Sequence, residues 1–272
     1  MGTAILIAFI VVVAVGLLAS ILLSLVSRYF GIEKDARVAE IRAMLPGVNC
    51  GACGYKGCDD YAAAVAKGEA APNLCIPGAK DVAAELASYL GVKVEPPKDV
   101  VAFVHCNGHC DAAKKEYHYD GIVSCAAANA LYGGQFICKY GCIGFGDCAK
   151  ACPNDAICIE DGIAHVDTSR CLGCTLCTTV CPKHIISMVP QETRTVVMCS
   201  SHDKGADARK ACTNACIGCR KCEKNCPASA ITVRDNCAVI DYSLCTFCGK
   251  CAEVCPTNCI KNVYFPDLGE EV

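Results

Sequence analysis

Apolar and polar positions follow three different rhythms along the chain. Residues 4–26, AILIAFIVVVAVGLLASILLSLV, run for 23 positions without a charge, and the first charged side chain is Arg28. At a rise of about 1.5 Å per residue, such a run is long enough to cross a bilayer as a helix. It exceeds the apolar stretch of a cleaved signal peptide, and the preceding MGT carries no basic side chain. A retained, single-pass transmembrane anchor over residues 1–28 is the expectation. Arg28, Lys34 and Arg37 all lie on its C-terminal side, so the bias of Lys and Arg toward the cytoplasmic side puts the rest of the chain in the cytoplasm.

The second rhythm is helical. In DARVAEIRAML (35–45), Val38, Ile41 and Leu45 share one face, Asp35 is a candidate N-cap, and Pro46 ends the pattern. AKDVAAELASYL (79–90) is a second short amphipathic helix, closed by Gly91. VKVEPPKD follows as a linker, because Pro96 and Pro97 cannot sit inside a helix. The third rhythm is alternation. AICIEDGIAHVD and AITVRDNCAVID each alternate around a central turn, which suits a small hairpin.

Composition changes the picture. Cysteine makes up 28 of 272 residues, far above ordinary usage, while charged residues are only 19% and the formal net charge is −3. No global charge is present to hold nucleic acid. So many cysteines fit either a secreted disulfide scaffold or a reduced, metal-rich protein, and a cytoplasmic placement favours the second.

The cysteines fall into ordered groups. LPGVNCGACGYKGC carries Cys50, Cys53 and Cys58, and Cys75 follows, giving C-x2-C-x4-C-x16-C. Gly51, Gly54 and Gly57 let the backbone turn sharply and approach a bulky group. Four thiolates so arranged suit a [4Fe–4S] cluster; a structural zinc is the alternative, although zinc usually takes two C-x2-C pairs or His partners.

The second half repeats itself at an offset of 74 residues: Cys142, Cys148, Cys152, Cys171, Cys174, Cys177 and Cys181 match Cys216, Cys222, Cys226, Cys245, Cys248, Cys251 and Cys255. Three of the four runs read C-x2-C-x2-C-x3-C-P, the signature of bacterial two-cluster ferredoxins, whose fourth Cys serves the other cluster. The second module is therefore expected to hold one cube on Cys216, Cys219, Cys222 and Cys255 and another on Cys226, Cys245, Cys248 and Cys251. In the first module Phe145 stands where Cys219 would match. Cys138 is the expected substitute, giving Cys138, Cys142, Cys148 and Cys181 for one cube and Cys152, Cys171, Cys174 and Cys177 for the other. Cys212 matches Cys138, yet the second module has no vacancy for it to fill.

This makes at least five [4Fe–4S] clusters. Cys106, Cys110, Cys125, Cys199 and Cys212, together with Cys138, form a pool from which four thiols can build a sixth. Cys158, Cys237 and Cys259 are expected to be small buried hydrophobes. His105 and His109 flank Cys106 and Cys110, and packed or solvent-facing loop histidines are the simpler reading of them. No catalytic constellation competes: there is no dinucleotide fingerprint, Walker A loop or H-E-x-x-H pair. Strings of such clusters carry single electrons. The basic run Arg209, Lys210, Arg220, Lys221 and Lys224 is a solvated surface by default, or a dock for an acidic electron carrier.

An N-terminal anchor, then LPGVNCGACGYKGC with Cys75, then ferredoxin modules, resembles the Rnf electron-transport complex's B-type iron–sulfur subunit, and CKYGCIGFGDCAKACP is similar to its longer, polyferredoxin form. The resemblance implies a component of an ion-translocating ferredoxin:NAD⁺ oxidoreductase in the plasma membrane of a prokaryote. Such a component takes electrons from soluble ferredoxin and passes them to membrane and peripheral partners that carry flavin and NAD, with coupled Na⁺ or H⁺ transport. A polyferredoxin component of another membrane redox complex, such as a hydrogenase or reductase, is the alternative. The expected architecture is α+β: the anchor, a small helical [4Fe–4S] domain (33–92), a linker with extra cysteines (93–133), and tandem ferredoxin-like modules at 134–191 and 192–267.

Overall fold

The computed structural model describes residues 2–29, 36–94 and 99–266. The Asp35 cap and the Pro96–Pro97 linker lie outside the described residues. The chain opens with α1 (Gly2–Tyr29), whose segment Ile5–Leu25 is long and apolar enough to span a bilayer and is not buried against other parts of the protein.

Three helices follow: α2 (Ala36–Met44), α3 (Cys58–Ala66) and α4 (Ala79–Leu90). They close on Ile41, Tyr61, Val65 and Leu86, all buried. Gly91 ends α4 at φ 69°, a left-handed conformation that costs glycine little. Two polar contacts fix the loop that carries the first cysteines. Arg42 pairs with Asp59 at 2.9 Å, and the Asn49 side-chain oxygen accepts the backbone N–H of Cys58 at 2.9 Å, acting as a remote cap of α3. The Tyr61 hydroxyl donates to the Ala71 carbonyl and accepts from the Leu74 N–H, which holds the return loop to Cys75.

The remainder is built from β1 (Val100–Val104), α5 (Cys125–Ala130), α6 (Asp147–Lys150), β2 (Ile157–Glu160), β3 (Ile163–Val166), α7 (Leu176–Val180), β4 (Ile186–Pro190), β5 (Thr195–Val197), α8 (Gly205–Ala211), α9 (Lys221–Asn225), β6 (Ile231–Arg234), β7 (Cys237–Ile240), α10 (Lys250–Glu253) and β8 (Ile260–Asn262). The alternating stretches form the hairpins β2–β3 and β6–β7. They share one register: Ile157 faces Val166 as Ile231 faces Ile240. The 74-residue repeat is thus a repeat of structure.

The outer sheets depart from the expected boundaries. β1 pairs with β4 and β5 pairs with β8, both antiparallel. The segment 93–133 is therefore not simply a linker, because it supplies β1. Val104 faces Ile186 and Val197 faces Ile260, so residues 74 apart are met by residues 93 apart. The first unit consequently holds 19 more residues than the second between its first strand and the cysteine-bearing repeat, and α5 lies in that insertion.

The two units are joined by Val101, Val189, Val196 and Phe265, which pack between the outer sheets. His105 bridges the same joint, its ring nitrogens lying 2.7 Å from the Val197 carbonyl and 2.6 Å from the Ser187 hydroxyl. Both nitrogens are occupied and burial lowers the His105 pKa, so the packed reading of this histidine holds.

Among the described residues the sheets are all two-stranded, with strands of three to five residues. Isolated hairpins of this size are marginal in water. Stripping metal anaerobically with a chelator is expected to abolish slow amide exchange in residues 100–265 while α1 stays helical. Hydrogen exchange read by mass spectrometry checks this, and protected β2–β3 and β6–β7 hairpins after stripping would contradict it.

Candidate metal centres

Among the described residues no three Cys, His, Asp or Glu side chains meet closely enough to grip a single ion. Instead, thiols gather in sets of four, five of which ring small voids. This wider arrangement is what a cube of iron and sulfide requires of its protein.

Set 1 is Cys50, Cys53, Cys58 and Cys75; the thiols of Cys50, Cys53 and Cys58 all act electrostatically on Cys75. Set 2 is Cys152, Cys171, Cys174 and Cys177, around a cavity of about 350 Å³. Set 5, Cys216, Cys219, Cys222 and Cys255, rings about 300 Å³. Set 6, Cys226, Cys245, Cys248 and Cys251, rings about 340 Å³. In all four sets the structure brings together the residues that spacing grouped. Short helices deliver them: α7 and α10 carry Cys177 and Cys251, while α6 and α9 carry Cys148 and Cys222.

The first unit's other set differs from expectation. The cavity of about 380 Å³ beside α6 is lined by Cys125, Cys142, Cys148 and Cys181, which form set 3. Cys138 is not among them. The vacancy left by Phe145 is filled by Cys125 at the start of α5. The Ser124 hydroxyl caps α5 and donates to Asp147 at 2.8 Å, tying the insertion to α6. Tyr119 and Phe145 stack beside it, with ring centroids 5.5 Å apart. No spacing rule could have found Cys125, because a long loop brings it in from outside the repeat.

Cys138 lies elsewhere, with Cys106, Cys199 and Cys212 around a cavity of about 420 Å³ at the joint between the units. This is set 4. It draws two thiols from each unit, with Cys138 and Cys212 at matching positions of the repeat. The unexplained match of Cys212 with Cys138 resolves here, since both face a shared void and neither replaces a missing thiol. Cys125 also lies 74 residues before Cys199, but that is a coincidence of spacing. In the sheets the counterpart of Cys199 is Cys106, each two residues beyond its strand.

Backbone N–H groups point at the sulfurs. Ala156 donates to Cys152 and Ala230 to Cys226, both at 3.3 Å and 74 residues apart. Cys142 donates to Cys106 at 3.3 Å and Cys216 to Cys199 at 3.2 Å. Ala102 donates to Cys171 and Phe247 to Cys245, each at 3.4 Å. Such donors stabilise negative charge on sulfur. Against them, burial pushes the free thiols of Cys106, Cys148 and Cys177 up to about 12. Loading a metal group must therefore displace protons.

Four cysteines stay outside these sets. Cys110 and Cys158 are exposed, so Cys158 is not the buried hydrophobe expected; its thiol lies 3.3 Å from a Glu160 carboxylate oxygen. Cys237 and Cys259 are buried as expected, but they are not inert. The Cys259 sulfur lies 3.6 Å from that of Cys255, and the Cys237 thiol donates to the Cys199 carbonyl at 3.2 Å. Hydrogen bonding from Cys259 lowers the Cys255 pKa to about 5, and bonding from Cys237 lowers that of Cys199 to about 7.

Comparison with known proteins agrees with this chemistry. A family model for an Fe-S cluster matches residues 45–77, 4Fe-4S dicluster domain models match 140–185 and 170–230, and a 4Fe-4S binding domain model matches 238–261. The chain is 43% identical to the B-type component of the Na(+)-translocating ferredoxin:NAD(+) oxidoreductase complex of Acetobacterium woodii, over 90% of this chain and 74% of that protein. It is 42% identical to the corresponding component of the proton-translocating ferredoxin:NAD(+) oxidoreductase complex of Clostridium ljungdahlii, over 90% and 87%. It is 35% identical to that of the ion-translocating oxidoreductase complex of Methanosarcina acetivorans, over 87% and 90%.

Cys125→Ala is expected to lower the iron content by up to about four atoms per chain and to change a different paramagnetic signal from Cys138→Ala. Cys110→Ala, by contrast, is expected to leave iron untouched. Equal signal changes from the first two variants would show that both thiols serve one group.

Proposed function

The chain belongs to the B-type family of Rnf ion-translocating oxidoreductase components, and from that premise we propose how its thiols are loaded and used. It is an iron–sulfur electron-transfer component of an ion-translocating ferredoxin:NAD⁺ oxidoreductase, and the complex is a translocase. In the proposed loading, all six thiol sets hold a [4Fe–4S] cluster, which supplies single-electron storage at each position. Anaerobic iron analysis of the full-length chain is expected to give about twenty-four atoms, and about twenty would remove set 4 from the assignment.

The observation that carries the reading is the order of contacts between sets. The Cys50 thiol of set 1 lies within electrostatic reach of Cys174 in set 2. Gly173 beside set 2 approaches Ile76 beside set 1 so closely that a Cβ would meet its side chain at 3.1 Å. Sets 2 and 3 share one hydrophobic core, as do sets 5 and 6. The backbone N–H of Cys142 in set 3 donates to Cys106 in set 4, and that of Cys216 in set 5 donates to Cys199 in set 4. Sets 1 to 6 thus form a line, with set 4 as the coupling between its halves.

The two ends differ. Set 1 follows the apolar helix in sequence, so it is the end proposed to face the anchor and the partner proteins of the complex. At the other end Cys219 of set 5 and Cys248 of set 6 are exposed. Arg220, Lys221 and Lys224 are exposed beside Cys219 and follow it directly in the chain. A positive surface around an exposed ligand position supports docking of an acidic, soluble ferredoxin there, because charge steers encounter. Electrons then pass from the second module through set 4 to the first module and on to set 1, with clusters on the cytoplasmic side. Flavin, NAD and the ion path belong to partner proteins, since a single apolar helix offers no paired polar groups to an ion.

Replacing both Lys221 and Lys224 by Glu is expected to slow reduction of the chain by ferredoxin at low salt by on the order of tenfold, and to flatten its salt dependence. Stopped-flow reduction by ferredoxin across ionic strengths checks this; unchanged rates would move the dock elsewhere.

A further inference from the structure

Positions 163 and 237, and 185 and 259, are equivalent in the repeat. The first unit has Ile163 and Ile185, both buried and apolar. The second has Cys237 and Cys259, only 3% and 1% exposed. The fold therefore accepts a plain hydrocarbon at both places, and packing alone does not call for sulfur there.

Both residues lie beside set 5. Cys259 lines the same cavity as Cys216, Cys219, Cys222 and Cys255, with its sulfur 3.6 Å from that of Cys255. Cys237 packs in the same core, but its thiol donates to the Cys199 carbonyl at 3.2 Å and not to a sulfur of set 5. Neither adds a missing ligand, because set 5 already has four thiols from the ferredoxin pattern. Once Cys255 binds metal as a thiolate it has no proton to give, so Cys259 becomes the donor in this S–H···S contact.

We propose that Cys259 is a positioning residue that donates a hydrogen bond to the Cys255 sulfur of set 5 and so raises the reduction potential of the cluster held there. The physical reason is charge. Reduction adds an electron that is shared onto the ligand sulfurs, and a donor aimed at those sulfurs stabilises the more negative state. Set 5 is also the set beside the basic surface, so a raised potential there favours capture of an electron from an arriving carrier. The inference rests on the loading of set 5 described above.

The test is an EPR-monitored redox titration of the full-length chain, with no carrier present. Cys222→Ala identifies the signal of set 5 by its loss. The variant Cys259→Ala is expected to keep its full iron content. At the potential where the native cluster is half reduced, its reduced-to-oxidised ratio should fall by about tenfold, which is about 59 mV for a one-electron couple. The variant Cys259→Ser retains a donor and is expected to titrate near the native chain. An unchanged midpoint in the Ala variant, an equal shift in Ala and Ser variants, or loss of iron from either would overturn the inference. If Cys222→Ala removes no iron, the loading of set 5 fails instead, so the two failures are distinguishable.

Discussion

Four sulfurs converging on one void, with backbone N–H groups aimed at them, is the interaction on which the rest of this chain depends. The strands are three to five residues long and pair only in twos among the described residues. Their inward residues are small: Ala102, Val104, Ala164 and Ile186 in one core, and Val197, Ala238 and Ile260 in the other. Such cores bury little apolar surface relative to the entropy of ordering the loops between them. The cysteine loops occupy the space where a larger protein would place more side chains. In the proposed loading the metal groups complete the cores, so binding and folding are one event.

The same constraint explains how the repeat tolerates a defect. The 74-residue units share a hairpin register, yet Phe145 removes a thiol from the first. A 19-residue insertion restores the set by bringing Cys125 in on α5, held by Ser124 and Asp147. The second unit keeps the standard four and has no insertion. The two units are alike in backbone and different in the surroundings of their thiols, most clearly where Cys237 and Cys259 stand at the positions equivalent to Ile163 and Ile185.

The joint between the units is polar as well as apolar. His105 spans β4 and β5, Ser200 donates to the His105 carbonyl at 2.9 Å, and the Asn214 side chain donates to the Asn107 carbonyl at 3.0 Å. These bonds fix the distance across the shared thiol set. An electron carrier benefits from a joint that holds its two halves close, because transfer between neighbouring sites weakens steeply as they separate.

Much of this was legible in the cysteine pattern. Closely spaced runs such as Cys171–Cys181 and Cys245–Cys255 bind through short loops, and local spacing dictates which thiols meet. The apolar run 4–26 and the alternating hairpins were equally plain, since bilayer length and the two-residue pleat leave a direct imprint on composition. The pool of six further thiols was legible and four of them meet, but that these are Cys106, Cys138, Cys199 and Cys212, with Cys125 serving set 3, was not. Their partners lie across a 19-residue insertion or in the other unit, and only the antiparallel pairing of β1 with β4 and β5 with β8 brings them together. Spacing encodes contacts that a short loop can close; contacts closed by the docking of two repeats leave no fixed interval in the chain, and the tertiary structure alone decides them.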